Sequence, residues 1–372
     1  MDLIGPATVV SIAYIDPGNF GANIAAGAEY GLDLLWIVWL SGFLAIMYQY
    51  ISGVLGIETK RGVLDHIRTR MRPLWPLYVP ALFAVALATD LAEFVGLIIA
   101  FRLLTGLPLY LDVVLGSIDV FLLLLLGDRG RAYFAAIGAL ASIVGFSFLI
   151  ELILVKPDLA KLVYRSVVPT LRPGEALYAA SIIGATVMPH ALVLHSHIVE
   201  GLDRRTHKFQ TLYNLGVASA VNAAMQIVAA YALYGAADVQ LSSVPKVLEP
   251  LYGPLAGYAF SIALLSSGLA SSAVSVQAGA LMMERIFSRS VARYRARALL
   301  RAINIAPTAV MLLEGLNPLG LLVYTQVVLS LVLPAVLLPL VKFASPYLDR
   351  RLSAIAYAAS AFIIFINFLS FI

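Results

Sequence analysis

Asp16-Pro17-Gly18-Asn19 interrupts an apolar run that starts at Leu3, and Ala185-Thr186-Val187-Met188-Pro189-His190 interrupts another. Proline removes a backbone donor and clashes with the preceding turn, so neither run continues as an unbroken helix. The residue before a proline is pushed out of helical geometry, and in the two stretches that residue is Asp16 or Met188. Placing a carboxylate and a thioether at matching breaks inside apolar segments points to a bound cation.

Apolar residues make up 61% of the 372-residue chain and charged residues only 12%. Runs of the roughly 20 apolar residues that cross a bilayer recur along it, which makes this an all-α, multi-pass membrane protein of one domain in the cell membrane. The segment Leu3 to Ile15 lacks the basic start of a signal peptide and is interrupted by Asp16-Pro17, so it reads as the first span. No cysteine is present, which excludes disulfides, thiolate metal sites and iron–sulfur clusters. The net charge of +4 does not indicate nucleic acid, because the basic residues are dispersed among short loops.

Apolar runs and turn signals place eleven spans, at about 3–28, 33–57, 74–104, 107–127, 130–155, 176–201, 209–237, 254–285, 297–313, 318–345 and 351–371. With the N-terminus in the cytoplasm, inside loops hold nineteen of the 25 Lys and Arg residues, Arg297 and Arg301 among them. Outside loops hold Lys156, Lys161, Arg165, Arg172 and Lys246, and Arg102 ends the third span. That bias sets the N-terminus inside and the C-terminus outside. Spans one and six then run in opposite directions, and each opens a group of five, residues 1–155 and 176–345. Interrupted segments at corresponding positions of two inverted halves mark a transport site. The proline-containing stretch 156–175 links the halves, and the last span, 351–371, stands outside the repeat.

Asp16 and Asn19 are three residues apart, as are Ala185 and Met188, so each pair projects from one side of its helix. A helix that stops in mid-membrane leaves carbonyls unpaired at its negative end, which offers Ala13 and Ala185 as oxygen donors. The set is one carboxylate, one amide, two carbonyls and one thioether. Mg²⁺ and Ca²⁺ take oxygen, whereas sulfur favours softer ions, so Met188 directs the site towards Mn²⁺ or Fe²⁺, with Cd²⁺ and Co²⁺ in the same class. Alone, a methionine reads as core packing and an Asp before Pro as a turn residue. Their occurrence together at matching breaks makes them ligands, and a carboxylate at the bilayer centre costs about 2.5–3.5 kcal/mol or more.

In the third span Asp90 and Glu93 share a face. They read as proton carriers, or for Asp90 as an ion-pair partner of a ninth-span cation such as Arg301. Both roles are compatible. His190 and His195 titrate near physiological pH and are candidates to pass a proton, although their spacing puts them on different faces. Gln326 reads as facing the pathway or bonding a neighbouring backbone, and Asn222 has the same reading. His197 and Glu200 are helix-end residues, and Asp112, Asp119 and Glu151 receive no specific role.

Taken together, Gly5-Pro6, Tyr14 to Asn19, Thr89-Asp90-Leu91-Ala92-Glu93, Met188-Pro189-His190 with His195, and Gln326 to Ser330 resemble the signature of the Nramp family of proton-coupled divalent metal transporters. The resemblance implies a leucine-transporter-type fold of five-plus-five inverted repeats. It implies metal held by Asp16, Asn19, Met188 and the Ala185 carbonyl, joined in some conformations by Ala13 and Gln326. Protons would pass by Asp16, Asp90, Glu93 and His190. Where the family often has two adjacent arginines in the ninth helix, this chain has Leu300-Arg301, with Arg297 a turn earlier. The chain is expected to be a monomer in the lipid bilayer with no permanent cofactor, and not an enzyme. Three alternatives are an Mg²⁺ or broad divalent carrier, a sodium-coupled organic solute carrier of the same fold, and an intramembrane metalloenzyme. No HExxH motif supports the last.

Overall fold

The computed structural model describes residues 5–117, 131–199, 201–236 and 239–371. Within them the chain is helical, with no strand. The helices are α1 (Pro6–Ala13), α2 (Pro17–Tyr30), α3 (Leu35–Thr59), α4 (Val63–Arg70), α5 (Trp75–Thr105), α6 (Leu109–Ser117), α7 (Arg131–Val155), α8 (Leu159–Val167), α9 (Glu175–Thr186), α10 (Pro189–Ile198), α11 (Arg204–Ala232), α12 (Val244–Tyr252), α13 (Pro254–Phe287), α14 (Arg293–Leu313), α15 (Pro318–Ala344) and α16 (Arg350–Leu369).

Both expected breaks are present and built alike. Asp16 is the N-cap of α2 with Pro17 at its first position, and Met188 is the N-cap of α10 with Pro189 at its first position. Proline suits that position because its missing N–H would have no helical partner there. The second broken pair occupies the centre of the bundle. Along the most apolar 18 residues of Glu175–Ile198, 89% are buried, against only 28% for Gly138–Val155 and for Arg350–Leu369, which present their apolar faces outward. Helix α2 is buried from Pro17 to Ala28, as expected of a helix enclosed on all sides.

Eight helical segments among the described residues are long and apolar enough to span a membrane. They correspond to eight of the eleven expected spans, and the other three differ for separate reasons. The first is split into α1 and α2, eight and fourteen residues long. The fourth is described only as far as Ser117. The ninth, α14, carries Arg293, Arg295, Arg297 and Arg301. Span seven starts at Arg204 instead of 209, because Asp203 caps it by accepting from the Arg205 and Thr206 N–H groups. Helices α4, α8 and α12 were not anticipated. Each is eight or nine residues long and lies where only a connection was expected.

Polar contacts sort the connections into two ends. At one end Glu58 pairs with Arg204, whose Nη2 donates to Tyr347 O at 3.1 Å; Asp65 pairs with Arg285 at 2.7 Å; and Arg68 bonds Ser288. At the other, Asp33 pairs with Arg165 at 2.7 Å and Arg172 at 2.9 Å, and Trp36 Nε1 donates to Thr170 O at 2.8 Å. Asp158 N there donates to the Tyr231 hydroxyl at 3.0 Å, and Asn317 Nδ2 to Val239 O at 3.1 Å. The charge bias divided these loops in the same way. Of the cations assigned to the loop after α13, Arg285 lies in α13 and Arg293, Arg295, Arg297 and Arg301 lie in α14, where Arg297 and Arg301 are buried. Helix α14 begins at Arg293, a turn before its apolar run, and carboxylates on α5 receive both side chains.

Candidate metal site

At the first break the chain passes from α1 to α2 through Tyr14 and Ile15. Their carbonyls would lack helical partners, and side chains from elsewhere supply them: Asn222 Nδ2 donates to Tyr14 O at 2.9 Å and Ser267 Oγ to Ile15 O at 2.6 Å. Asn222 therefore bonds a neighbouring backbone at the broken helix, and its Oδ1 has no partner among the described residues. The Ala13 carbonyl was expected to be unpaired, but it accepts from Asp16 N at 3.2 Å, because the chain tightens into short turns before breaking.

Asn19 joins the two breaks. Its Nδ2 donates to Asp16 Oδ1 at 3.0 Å and to Ala185 O at 2.7 Å, and its Oδ1 accepts from Thr186 Oγ1 at 3.2 Å. Asp16 Oδ1 also accepts from Asn19 N at 2.7 Å. Three of the expected ligands thus meet directly, and Met188 lies three residues beyond Ala185, fully buried and in extended backbone at the second break. Gln326 reaches the same place, since a Cβ on Gly18 would touch both its amide and Asp16 Oδ2. Helix α15 comes this close because α9 has glycine at position 184, where any side chain would overlap the Gln326 carbonyl. Gln326 Nε2 donates to Thr325 Oγ1 at 3.1 Å, and its Oε1 has no partner among the described residues.

No cluster of three or more His, Asp or Glu side chains suited to a metal is found among the described residues. Asp16 is the one carboxylate among the groups that meet here, and Asn19 and the Ala185 carbonyl are neutral. Asp16, Asn19, Ala185 and Met188 are all buried, so an ion reaches them only after part of the bundle moves.

The second polar group lies between α5, α13 and α14. Arg297 Nη1 is 2.8 Å from Asp90 Oδ1 and 2.9 Å from Glu93 Oε2, and Nη2 donates to Ser272 Oγ at 2.9 Å. Arg301 Nε donates to Asp90 Oδ1 at 3.3 Å, Asn304 Nδ2 to Asp90 Oδ2 at 2.8 Å, and Ser275 Oγ to Glu93 Oε2 at 2.6 Å. The Arg301 guanidinium also lies 4.3 Å over the Phe94 ring. Two carboxylates and two guanidiniums balance in charge, which makes their burial tolerable. Thr89 Oγ1 lies 3.2 Å from His190 Nδ1 and links this group to the second break.

His195 does not join that line. It faces His207, with ring centroids 5.1 Å apart, and neither of its ring nitrogens has a partner among the described residues. His197 reaches Asp65 at 3.8 Å at the helix end. Asp112 accepts from Thr105 at 3.4 Å, and Glu151 is buried with neither oxygen partnered among the described residues. Asp119, Arg129 and Glu200 lie outside the described residues. Sequence reasoning missed Ser267, Ser272, Ser275 and Asn304. The three serines are among six in α13, and Asn304 follows four arginines in α14, so nothing in the sequence sets them apart from their polar neighbours.

The natural resistance-associated macrophage protein-like family model matches residues 7–372. The chain is 38% identical to the divalent metal cation transporter MntH of Deinococcus radiodurans over 93% of its own length and 82% of that protein's. It is 36% identical to the transporter of the same name from Pectobacterium carotovorum, over 92% and 85%. The manganese transporter of Eremococcus coleocola superposes with a TM-score of 0.87 at 27% identity, covering 98% of this chain and 85% of that one. Mhp1, a nucleobase-cation-symport-1 family transporter, superposes with a TM-score of 0.58 at 15% identity over 91% and 78%; that likeness concerns the fold alone.

Proposed function

The chain belongs to the natural resistance-associated macrophage protein-like family, and from that premise we propose that it imports divalent transition-metal ions, Mn²⁺ and Fe²⁺ first among them, by proton-coupled alternating access. The observation that carries the reading is the Asn19 bridge between Asp16 and Ala185, which brings donors from two broken helices to one point. The amide N–H groups of Asn19 engage two acceptors that a cation would take. Turning the amide presents Oδ1 instead, and Asp16, Asn19, the Ala185 carbonyl, Met188 and Gln326 then form the ligand set, with Ala13 contributing its remaining lone pair. Cd²⁺ and Co²⁺ suit the same donors.

The end of the molecule that carries α4 faces the cytoplasm in this reading, with eleven spans in two inverted groups, residues 1–155 and 176–345, and α16 outside them. The chain acts as a monomer in the cell membrane, because every ligand comes from one chain. An ion of charge two entering a negative cell gains about 4.6 kcal/mol per 100 mV. Protons couple through Asp16 and His190 to the Asp90 and Glu93 pair. A proton on either carboxylate weakens its tie to Arg297 and frees α5 to move against α14.

Uptake into proteoliposomes from a panel of divalent ions, with internal pH recorded in parallel, tests this function. Mn²⁺ uptake with internal acidification is expected, and Asp16→Asn abolishes both. Met188→Ala retains Mn²⁺ uptake but lowers discrimination against Ca²⁺ by roughly tenfold, about 1.4 kcal/mol. Selectivity identical to that of the unaltered protein would remove the thioether from the site.

A further inference from the structure

The three helices that supply Asn19, Ala185 and Gln326 also enclose a cavity of about 240 Å³ further along the bundle. It lies at the end where Asp33 holds Arg165 and Arg172. Its wall includes Ala25 and Glu29 from α2, Tyr178 from α9, and Val323 and Tyr324 from α15, with Asn317 at the rim. Glu29 is ten residues beyond Asn19 on α2, roughly 15 Å at the rise of an α-helix. The cavity is therefore stacked over the site on the same helices.

Glu29 is the charged side chain in that wall and is exposed to it. It forms no ion pair or hydrogen bond among the described residues. Arg165 and Arg172, at the same end, both turn to Asp33, and neither forms an ion pair with Glu29. Glu175, at the start of α9, is fully buried; its Oε2 accepts from Arg172 N at 2.7 Å, and its Oε1 has no partner among the described residues. Tyr30, whose ring meets that of Tyr178 at 5.2 Å, is within electrostatic reach of both carboxylates. Glu29 is thus a carboxylate at the cavity wall with no direct cationic partner among the described residues. In size, six first-shell waters at about 30 Å³ each occupy roughly 180 Å³, so the cavity accommodates a hydrated divalent ion.

We propose that this cavity is an antechamber in which Glu29 collects divalent cations with their water shell intact, before they are dehydrated and passed to Asp16. The proposal rests on the import reading above and adds a recruiting residue outside the coordinating set. A carboxylate acting through water senses charge and not softness. Glu29 therefore raises the local concentration of Mn²⁺ and Ca²⁺ alike, and selection between them stays at Met188.

The test is initial Mn²⁺ uptake by the full chain in proteoliposomes, with the ion added on the Glu29 side, for the unaltered protein, Glu29→Gln and Glu29→Lys. At an ionic strength of about 0.01 M, where charges act over about 30 Å, Glu29→Gln raises KM about three- to tenfold and leaves kcat unchanged, and Glu29→Lys raises KM further. At about 1 M, where the range is about 3 Å, the three proteins converge. The inhibition constant of Ca²⁺ rises by the same factor as KM, so the Mn²⁺ to Ca²⁺ ratio holds. Equal KM values at low ionic strength, a KM difference that persists at high salt, or a fall in kcat alone would each overturn the antechamber while leaving import intact. Absence of Mn²⁺ uptake by the unaltered protein would overturn the import reading and this inference with it.

Discussion

Asn222 and Arg297 hold together the elements around the two breaks. Asn222 supplies the donor that Tyr14 O loses where α1 stops. Asn222→Ala leaves that buried carbonyl unpaired, at a cost of about 1–3 kcal/mol. Thermal unfolding in detergent is expected to show a clear drop in Tm, and an unchanged Tm would remove the capping role. Arg297 has side-chain exposure of 1% and donates to both Asp90 and Glu93. Arg297→Leu strands a buried carboxylate and is expected to cost about 3–5 kcal/mol, whereas Arg297→Leu combined with Glu93→Leu recovers most of the loss. A double variant no more stable than the single one would show that the two side chains are not coupled. The breaks at Asp16 and Met188 were legible in the sequence because a proline follows each. Asn222 bonds a neighbouring backbone, one of its two expected roles, whereas Ser267 and Asn304 were not legible, since a polar side chain in a helix does not reveal which neighbour it faces. Arg297 was misread because a count of cations near span ends treats the first turn of a helix as loop.

At the scale of elements, the breaks were readable and the short helices were not. Proline after Asp16 and after Met188 fixes where α2 and α10 begin. Helices α4, α8 and α12 give no long apolar run, so only their docking defines them. Helix α4 is held by Asp65 to Arg285, by Val63 N donating to Ser196 Oγ at 3.0 Å, and by His66. His66 lies 2.9 Å from Thr59 Oγ1 and stacks on Phe343. Burial, then the nearby Arg70 and Arg61 charges, hold the His66 pKa below its ordinary value, against the opposing pull of Asp65. The docked helix therefore keeps the ring neutral, while a detached helix takes up a proton below about pH 6.5. The detached form binds more protons, so docking is retained in full above that pH and weakens as pH falls through it. Hydrogen exchange of the α4 amides, corrected for intrinsic rates, should show protection falling between about pH 7.5 and pH 5.5. The fall should be absent in His66→Gln, and the same fall in that variant would clear His66 of the effect.

For the whole molecule, the grouping of loops into two ends was legible because the charge bias is strong, and the polar contacts reproduce it. What no count of charges could supply is the depth at which the broken helices meet. That depends on close backbone approaches such as Gly184 against Gln326, which bring α9 and α15 together at the height of Asp16. The central claim is that both breaks serve one ion. Anomalous diffraction at the manganese edge from crystals grown with Mn²⁺ tests it most directly. The account expects a single strong peak about 2.0–2.6 Å from Asp16 Oδ and the Ala185 carbonyl, with Met188 Sδ in the same coordination shell. A peak bound by Asp16 while Met188 points into a different part of the bundle would contradict it.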